Sequence, residues 1–257
     1  MKKFLLYFLF LLLLTAVGTF SYGFLNGKKI RGFAVQISEI RAKQDLRPQI
    51  EKIEVSFRDN GKKEISQIRD ESKQFSEQLE GIVRDAETLK KETAGLNAPK
   101  SGENAKKMTE EYYTKLILQA GDLKKTIDYM SQIIEVAAVF GEMKENASLD
   151  EMKNLIARAK EKKDAIQVES VPESIRANAV NLKDSLGTFV GKMEDLANLK
   201  TEAIGELDAS YSDFSQKEDE FFASAKKFID EMENLDVLEG KINSEIEKLG
   251  RVRFSLR

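Results

Sequence analysis

The side chains that most often do chemistry are missing from this chain or scattered along it. With neither Cys nor His among its 257 residues, it has no thiolate nucleophile, no disulfide and no zinc–thiolate site. It also lacks the commonest general base and transition-metal ligand. Catalysis would fall to Asp, Glu, Lys, Tyr, Ser or Thr, and none of these recurs at a recognisable catalytic spacing. The densest carboxylate run is Glu218-Asp219-Glu220. Consecutive helical positions point to different faces, so this run is a solvated charged surface rather than a cation cage. No carboxylates show EF-hand spacing, and the Glu-x-x-His pairs of di-iron bundles cannot occur without His. We therefore expect no catalytic residue, no metal and no cofactor.

Four other features carry a functional and a structural reading side by side. Glu218 and Glu239 fall on apolar seam positions; they are either register-setting charges or parts of a locally exposed face, and the exposed face is favoured because a buried charge needs a partner. Asn146-Ala147-Ser148 matches a glycosylation sequon, but Ser148 is already used as a helix cap. Phe214, Phe221, Phe222 and Phe228 lie close at helical spacing and read as bundle core rather than a ligand groove. The tail Arg251-Val252-Arg253-Phe254-Ser255-Leu256-Arg257 alternates polar and apolar residues. Extended, it puts Val252, Phe254 and Leu256 on one face and three arginines on the other. Arg251, Arg253, Phe254 and Arg257 are thus the candidate partner-binding residues, suited to a sheet edge or an anionic surface. A frayed terminus is the plainer account.

The elements that would position these residues begin with a membrane segment. Lys2 and Lys3 precede an apolar run from Phe4 to about Leu25, and Lys28, Lys29 and Arg31 close it. At about 1.5 Å per residue, roughly 22 residues match a hydrocarbon core of about 30 Å. A cleaved signal peptide is the rival, with Ala16-Val17-Gly18 as its site. The apolar run continues past that site through Phe20, Phe24 and Leu25, which favours an uncleaved signal anchor over residues 1–27. Only Met1 to Lys3 precedes the span. The Lys/Arg bias across it is nearly level, and a long following domain is translocated largely regardless of such charges, so the body is expected outside the cytoplasm.

The remainder, 28–257, reads as helix. Charged residues make up 33%, Pro occurs three times, and a net charge of −3 gives no basic face for nucleic acid. Helices are expected at about 30–46, 49–95, 104–145, 149–166 and 171–250. Arg47-Pro48 marks a kink or fresh start, and Asp59-Asn60-Gly61 a weak joint. Ile65, Ile68, Ser72, Phe75, Leu79, Ile82, Ala86, Leu89, Thr93 and Leu96 form one heptad seam. Leu116, Ala120, Leu123, Ile127, Met130, Ile134, Ala137 and Gly141 form a second, widened by Ile133, Val136 and Phe140 so that this helix meets more than one neighbour. Ser148 and Glu151 make a capping box, and Ser170-Val171-Pro172-Glu173 repeats the start signal. The longest helix carries Ile175, Ala179, Leu182, Leu186, Phe189, Met193 and Leu196, slips through Lys200 to Ile204, and resumes through Ile204, Leu207, Tyr211 and Phe214 to Leu249. A slip of this kind is a stutter that unwinds a supercoil. If continuous, the helix would hold roughly 78 residues and reach about 117 Å.

The fold expected is all-α: an N-terminal transmembrane helix, then an elongated antiparallel helical bundle or coiled coil of three to four segments. The function expected is non-enzymatic: a membrane-anchored structural or interaction protein of the cell envelope, binding a protein partner or itself through its seams. The alternative is a sensory or ligand-binding ectodomain working with a separate signalling partner. For location, the alternative is secretion after signal-peptide cleavage.

Overall fold

The computed structural model describes residues 25–58, 65–143, 147–200 and 203–251. Among these the chain is all-helical, with no strand, and its helices pack as bundles. In chain order they are α1 (25–42), α2 (Arg47–Arg58), α3 (Ile65–Gly95), α4 (Glu103–Gly141), α5 (Leu149–Asp164), α6 (Glu173–Ala197), α7 (Ala203–Asp230) and α8 (Leu235–Gly250). No helix among the described residues is long and apolar enough to cross a membrane. The run from Phe4, on which the membrane expectation rests, lies outside them up to residue 24, and so does the Asp59-Asn60-Gly61 joint.

The chain forms two compact units. The first takes the described parts of Met1–Asp45, Asp85–Leu116 and Asn234–Arg257. Its core joins Ile30, Phe33, Ala34 and Ile37 of α1 to Ala105 of α4 and Leu249 of α8, with Leu96, Ala98 and Ile246 packed against them. The Phe33 ring lies directly on the backbone of Gly102, where an added Cβ would sit 2.6 Å from Cε1. Only glycine leaves room for that approach. Lys106 Nζ donates to the carbonyls of Ala94 at 2.6 Å and Leu96 at 2.9 Å. A cation is thereby set on the free acceptors that end α3.

The second unit is Leu46–Arg84 with Ile117–Glu233. Here α5 runs antiparallel to both α4 and α6, because partner numbers fall as residue numbers rise. Arg158 holds Glu142 through two bonds, at 2.7 and 3.0 Å, and Lys162 holds Glu135 at 2.8 Å, aligning α5 with α4. Lys160 meets Glu194, and Lys183 Nζ donates to the Ile166 carbonyl, aligning α6 with α5. Tyr129 of α4 is fully buried; its hydroxyl donates to the Ala179 carbonyl at 2.6 Å and its ring lies 5.0 Å from that of Phe221. One side chain thus joins α4, α6 and α7. Burial raises the Tyr129 pKa, so this phenol stays protonated as a donor.

Local signals set most helix ends. At Ser148 the expected capping box forms: its Oγ accepts from Glu151 N at 3.3 Å, and its own N–H donates to Glu151 Oε2 at 2.7 Å. Arg47-Pro48 is a fresh start, α1 having ended at 42 rather than 46, with proline in the first turn of α2. The second capping box expected, at Ser170, does not form. The Ser170 hydroxyl donates instead to Gln167, and Pro172 is the N-cap of α6 without a side-chain bond. Val171 beside it is buried, and its carbonyl accepts from the Arg176 guanidinium. Similarly, α4 stops at Gly141 rather than 145, in a turn where Glu142 and Met143 N–H bond back three residues.

The largest correction concerns the expected helix over 171–250, which is three helices. α6 closes in a Schellman motif: Leu199 N donates to the Leu196 carbonyl at 2.9 Å and Lys200 N to the Asp195 carbonyl at 3.1 Å. Leu199 occupies the left-handed position at φ 62°, where glycine is usual, and the residue is 74% exposed. Further on, α7 ends at Asp230, and Asn234 Oδ1 accepts from Asp236 N at 2.7 Å to begin α8. The slip read at Lys200–Ile204 is therefore a helix end rather than a stutter. The break also shifts the buried stripe by one residue over the first turns of α7, while the seam positions Phe221 and Ala225 further on are buried as expected. Ala203 and Ser210 turn in, while the seam positions Ile204 and Tyr211 are 58% and 59% exposed. In α8 the expected seam residues Leu235, Ile242 and Leu249 are likewise buried.

Candidate functional site

Neither of the two seam carboxylates does what the sequence favoured for both. Glu239 is not simply an exposed face residue: its Oε1 accepts from Arg41 Nη2 at 2.8 Å, across 198 positions of sequence. Arg41 Nη1 also donates to Asn243 Oδ1, and the guanidinium sits 5.9 Å from the centre of the Tyr112 ring. The Arg41 side chain is only 12% exposed. This network fastens α1 to α4 and α8 in the first unit. Beside it lies Tyr113, whose phenol burial pushes up to about 12 against the opposing pull of the Arg41 charge. A phenol so protonated is no general base near neutral pH.

Glu218, in the second unit, is half-buried on α7 and has no cationic partner among the described residues. Its pKa is raised, first by desolvation and then by the neighbouring Asp219. Asp219 itself is exposed, and Glu220 accepts from Lys217 at 2.9 Å. The three carboxylates thus diverge, and among the described residues no group of acidic side chains is arranged to hold a metal ion. Of the four phenylalanines expected as core, Phe221 alone is fully buried, and Phe214, Phe222 and Phe228 are half-buried. Phe189 gathers Phe140, Tyr211 and Phe214 at centroid distances of 5.6, 5.8 and 6.3 Å. A cleft of about 520 Å³ between α5 and α6 is lined by Ile156, Lys153, Glu161 and the paired Lys160 and Glu194. It is open and charged rather than an apolar chamber within the bundle.

The tail candidates divide at the edge of the described residues. Arg251 is the C-cap of α8 and pairs with Glu247, while Arg253, Phe254 and Arg257 lie outside those residues. What sequence reasoning missed is the position of Arg251. Arg41 meets Glu239 and Asn243, whereas Ile30 and Phe33 share a cluster with Ile246 and Leu249. So α1 and α8 are antiparallel, and α8 ends beside the start of α1. There the exposed Lys28, Lys29 and Arg31 make no ion pair among the described residues; Arg31 Nε only donates to the Gly27 carbonyl at 3.4 Å. No sequence signal linked these two ends, because their contact depends on packing over more than 200 residues.

No protein-family model matches the chain, and no characterised protein or solved structure matches it either.

Proposed function

We propose that this chain is a non-enzymatic membrane-anchored protein that presents an elongated antiparallel bundle of helices at the cell envelope for partner binding or spacing. The observation that carries the reading is the passage from the apolar run, Phe4 to Leu25, straight into α1. α1 is not a loose stalk. It buries Ile30, Phe33, Ala34 and Ile37 in the first unit and is tied at its far end by Arg41. A span joined in this way transmits position and load directly to packed helices, which suits a spacer or scaffold. The body lies outside the cytoplasm, and its partner is a protein or a second copy of the chain, held through helix surfaces.

The test fuses to Arg257 a reporter active only outside the cytoplasm and measures the mass of the membrane-fraction protein. An active reporter on an uncut chain that resists alkaline extraction is the expected result. An inactive reporter on a well-expressed chain would sink the topology. Loss of Met1 to about Gly18 would make the protein secreted and the anchor wrong.

A further inference from the structure

We propose that one face of α7, marked by Ile204, Leu207, Tyr211, Phe214 and Glu218, docks an amphipathic helix of a partner protein that sets a Lys or Arg against Glu218. The inference rests on the partner-binding part of the reading above and names the surface and the chemistry of the partner. Three observations converge on it. First, these five positions recur at steps of three and four, the spacing by which one helix receives another. They run about 21 Å along the axis, or about four turns. Second, the chain's own helices cover them only in part. Ile204 and Tyr211 are more than half exposed, and Leu207, Phe214 and Glu218 are half-buried. From α6, Phe189 backs one side of the strip, its ring 5.8 Å from that of Tyr211 and 6.3 Å from that of Phe214. An incoming helix therefore meets a supported apolar surface rather than a lone helix.

Third, the strip carries charge of one sign. Glu218 has no cationic partner among the described residues, and the adjacent Lys217 is held by Glu220 at 2.9 Å. Asp208 and Asp219 border the strip on its solvent side; both are exposed and form no ion pair among the described residues. Helical side chains lean toward the N-terminus, so the Glu218 carboxyl reaches back over the turn that carries Phe214. Any helix laid on the apolar positions would seal that carboxyl from water, which is costly unless the occupant brings a cation. A second copy offering the same strip would bring more carboxylates, and like charge opposes self-association there. A partner helix with a basic residue gains the apolar area and answers the charge together.

The test replaces Tyr211 by the photo-reactive p-benzoylphenylalanine in the full-length chain, in the cells it comes from, and sequences the cross-linked peptides by mass spectrometry. Leu118 of α4 and Val180 of α6, which are exposed apolar positions, serve as comparison sites. The expected product joins position 211 to one segment with apolar residues three and four apart and a Lys or Arg about two turns away, matching the distance from Tyr211 to Glu218. That segment, made as a labelled peptide, should bind the full-length chain about tenfold more weakly after Glu218→Gln. Changing the peptide's own cation to Gln as well should add little further loss, because both changes remove one interaction. Glu218→Gln relieves an unpaired carboxylate in the free chain, so weaker binding does not come from unfolding. Equal binding by the Glu218→Gln chain overturns the proposal. A cross-linked segment without a cation at that distance also overturns it, and so does a cross-link to a second copy of the chain. Cross-links at Leu118 or Val180 with none at Tyr211 overturn this surface and leave the partner-binding reading standing. None at any of the three positions counts against both.

Discussion

Substituting Arg41 by Met should weaken the first unit more than any single surface change, and the size of the effect can be worked out. The Arg41 side chain is 12% exposed and that of Glu239 37%. Removing one partner of a fully buried pair costs about 3–5 kcal/mol, whereas an exposed pair is worth about 0.2–1 kcal/mol. A pair with one buried and one part-exposed partner belongs between these, at about 1–2 kcal/mol. Losing the contact with the Tyr112 ring adds about 0.5–1 kcal/mol. Methionine keeps the aliphatic packing of the stem, so the total loss is about 1.5–3 kcal/mol. In a chain of this size that lowers the melting temperature by roughly 5–10 °C. The assay is thermal unfolding of the detergent-solubilised full chain, followed by far-ultraviolet circular dichroism. Glu239→Gln retains an acceptor for Arg41 and should cost about 1 kcal/mol. The Arg41→Met, Glu239→Gln double variant should fall short of the sum by about 1 kcal/mol, because both changes remove the same interaction. A loss under about 0.5 kcal/mol for Arg41→Met, or additivity within about 0.3 kcal/mol, would refute the assignment of Arg41 as the fastening of α1.

Three further outcomes are expected from the same unfolding assay. Glu218→Gln should raise the melting temperature near pH 7. Burial raises the Glu218 pKa, so its stabilising contribution is present below its ordinary value of 4.5 and is lost as pH rises through the folded-state pKa. The gap between variant and parent should therefore close near pH 4, and a gap that widens on acidification would contradict the burial of an unpaired carboxyl. Leu199→Gly should stabilise by about 0.5–1 kcal/mol. Relief of the left-handed cost of about 1–2 kcal/mol outweighs the added freedom of the unfolded chain, and little buried area is lost. Gly102→Ala should destabilise by about 1–3 kcal/mol, since the new Cβ would lie 2.6 and 2.7 Å from two ring atoms of the buried Phe33. Pairing it with Phe33→Leu should recover part of that loss.

Much of the helical content was legible because it rests on local chemistry. The α3 seam predicted from spacing is the buried stripe observed, with Ser72, Leu79, Ile82, Ala86, Leu89 and Thr93 inside. The extra apolar positions on α4, Ile133 and Val136, are buried as a helix with several neighbours requires. The capping box at Ser148 needs only residues three apart and forms as expected. Where spacing misled, the competing interaction was also local but outside the pattern used. A Schellman turn built on Leu199 rather than glycine carries no compositional signal, so the break after α6 was read as a slip in a continuous helix. The start signal at Ser170–Glu173 placed the beginning of α6 correctly, but the side-chain cap it implied does not form, because the Ser170 hydroxyl bonds back to Gln167.

The sequence by itself determined that this is a helical chain without Cys or His chemistry, which faces of most helices are apolar, and that a long apolar run precedes α1. Those properties follow from residue type and from the helical period, which every short window carries. Only the tertiary structure decided that Glu239 answers Arg41, that Glu218 meets no cation among the described residues, and that Arg251 comes to rest beside the start of α1. These are pairings between distant segments, and a heptad stripe is compatible with many partners and registers. Which one is adopted depends on how whole surfaces fit, and no local window holds that information.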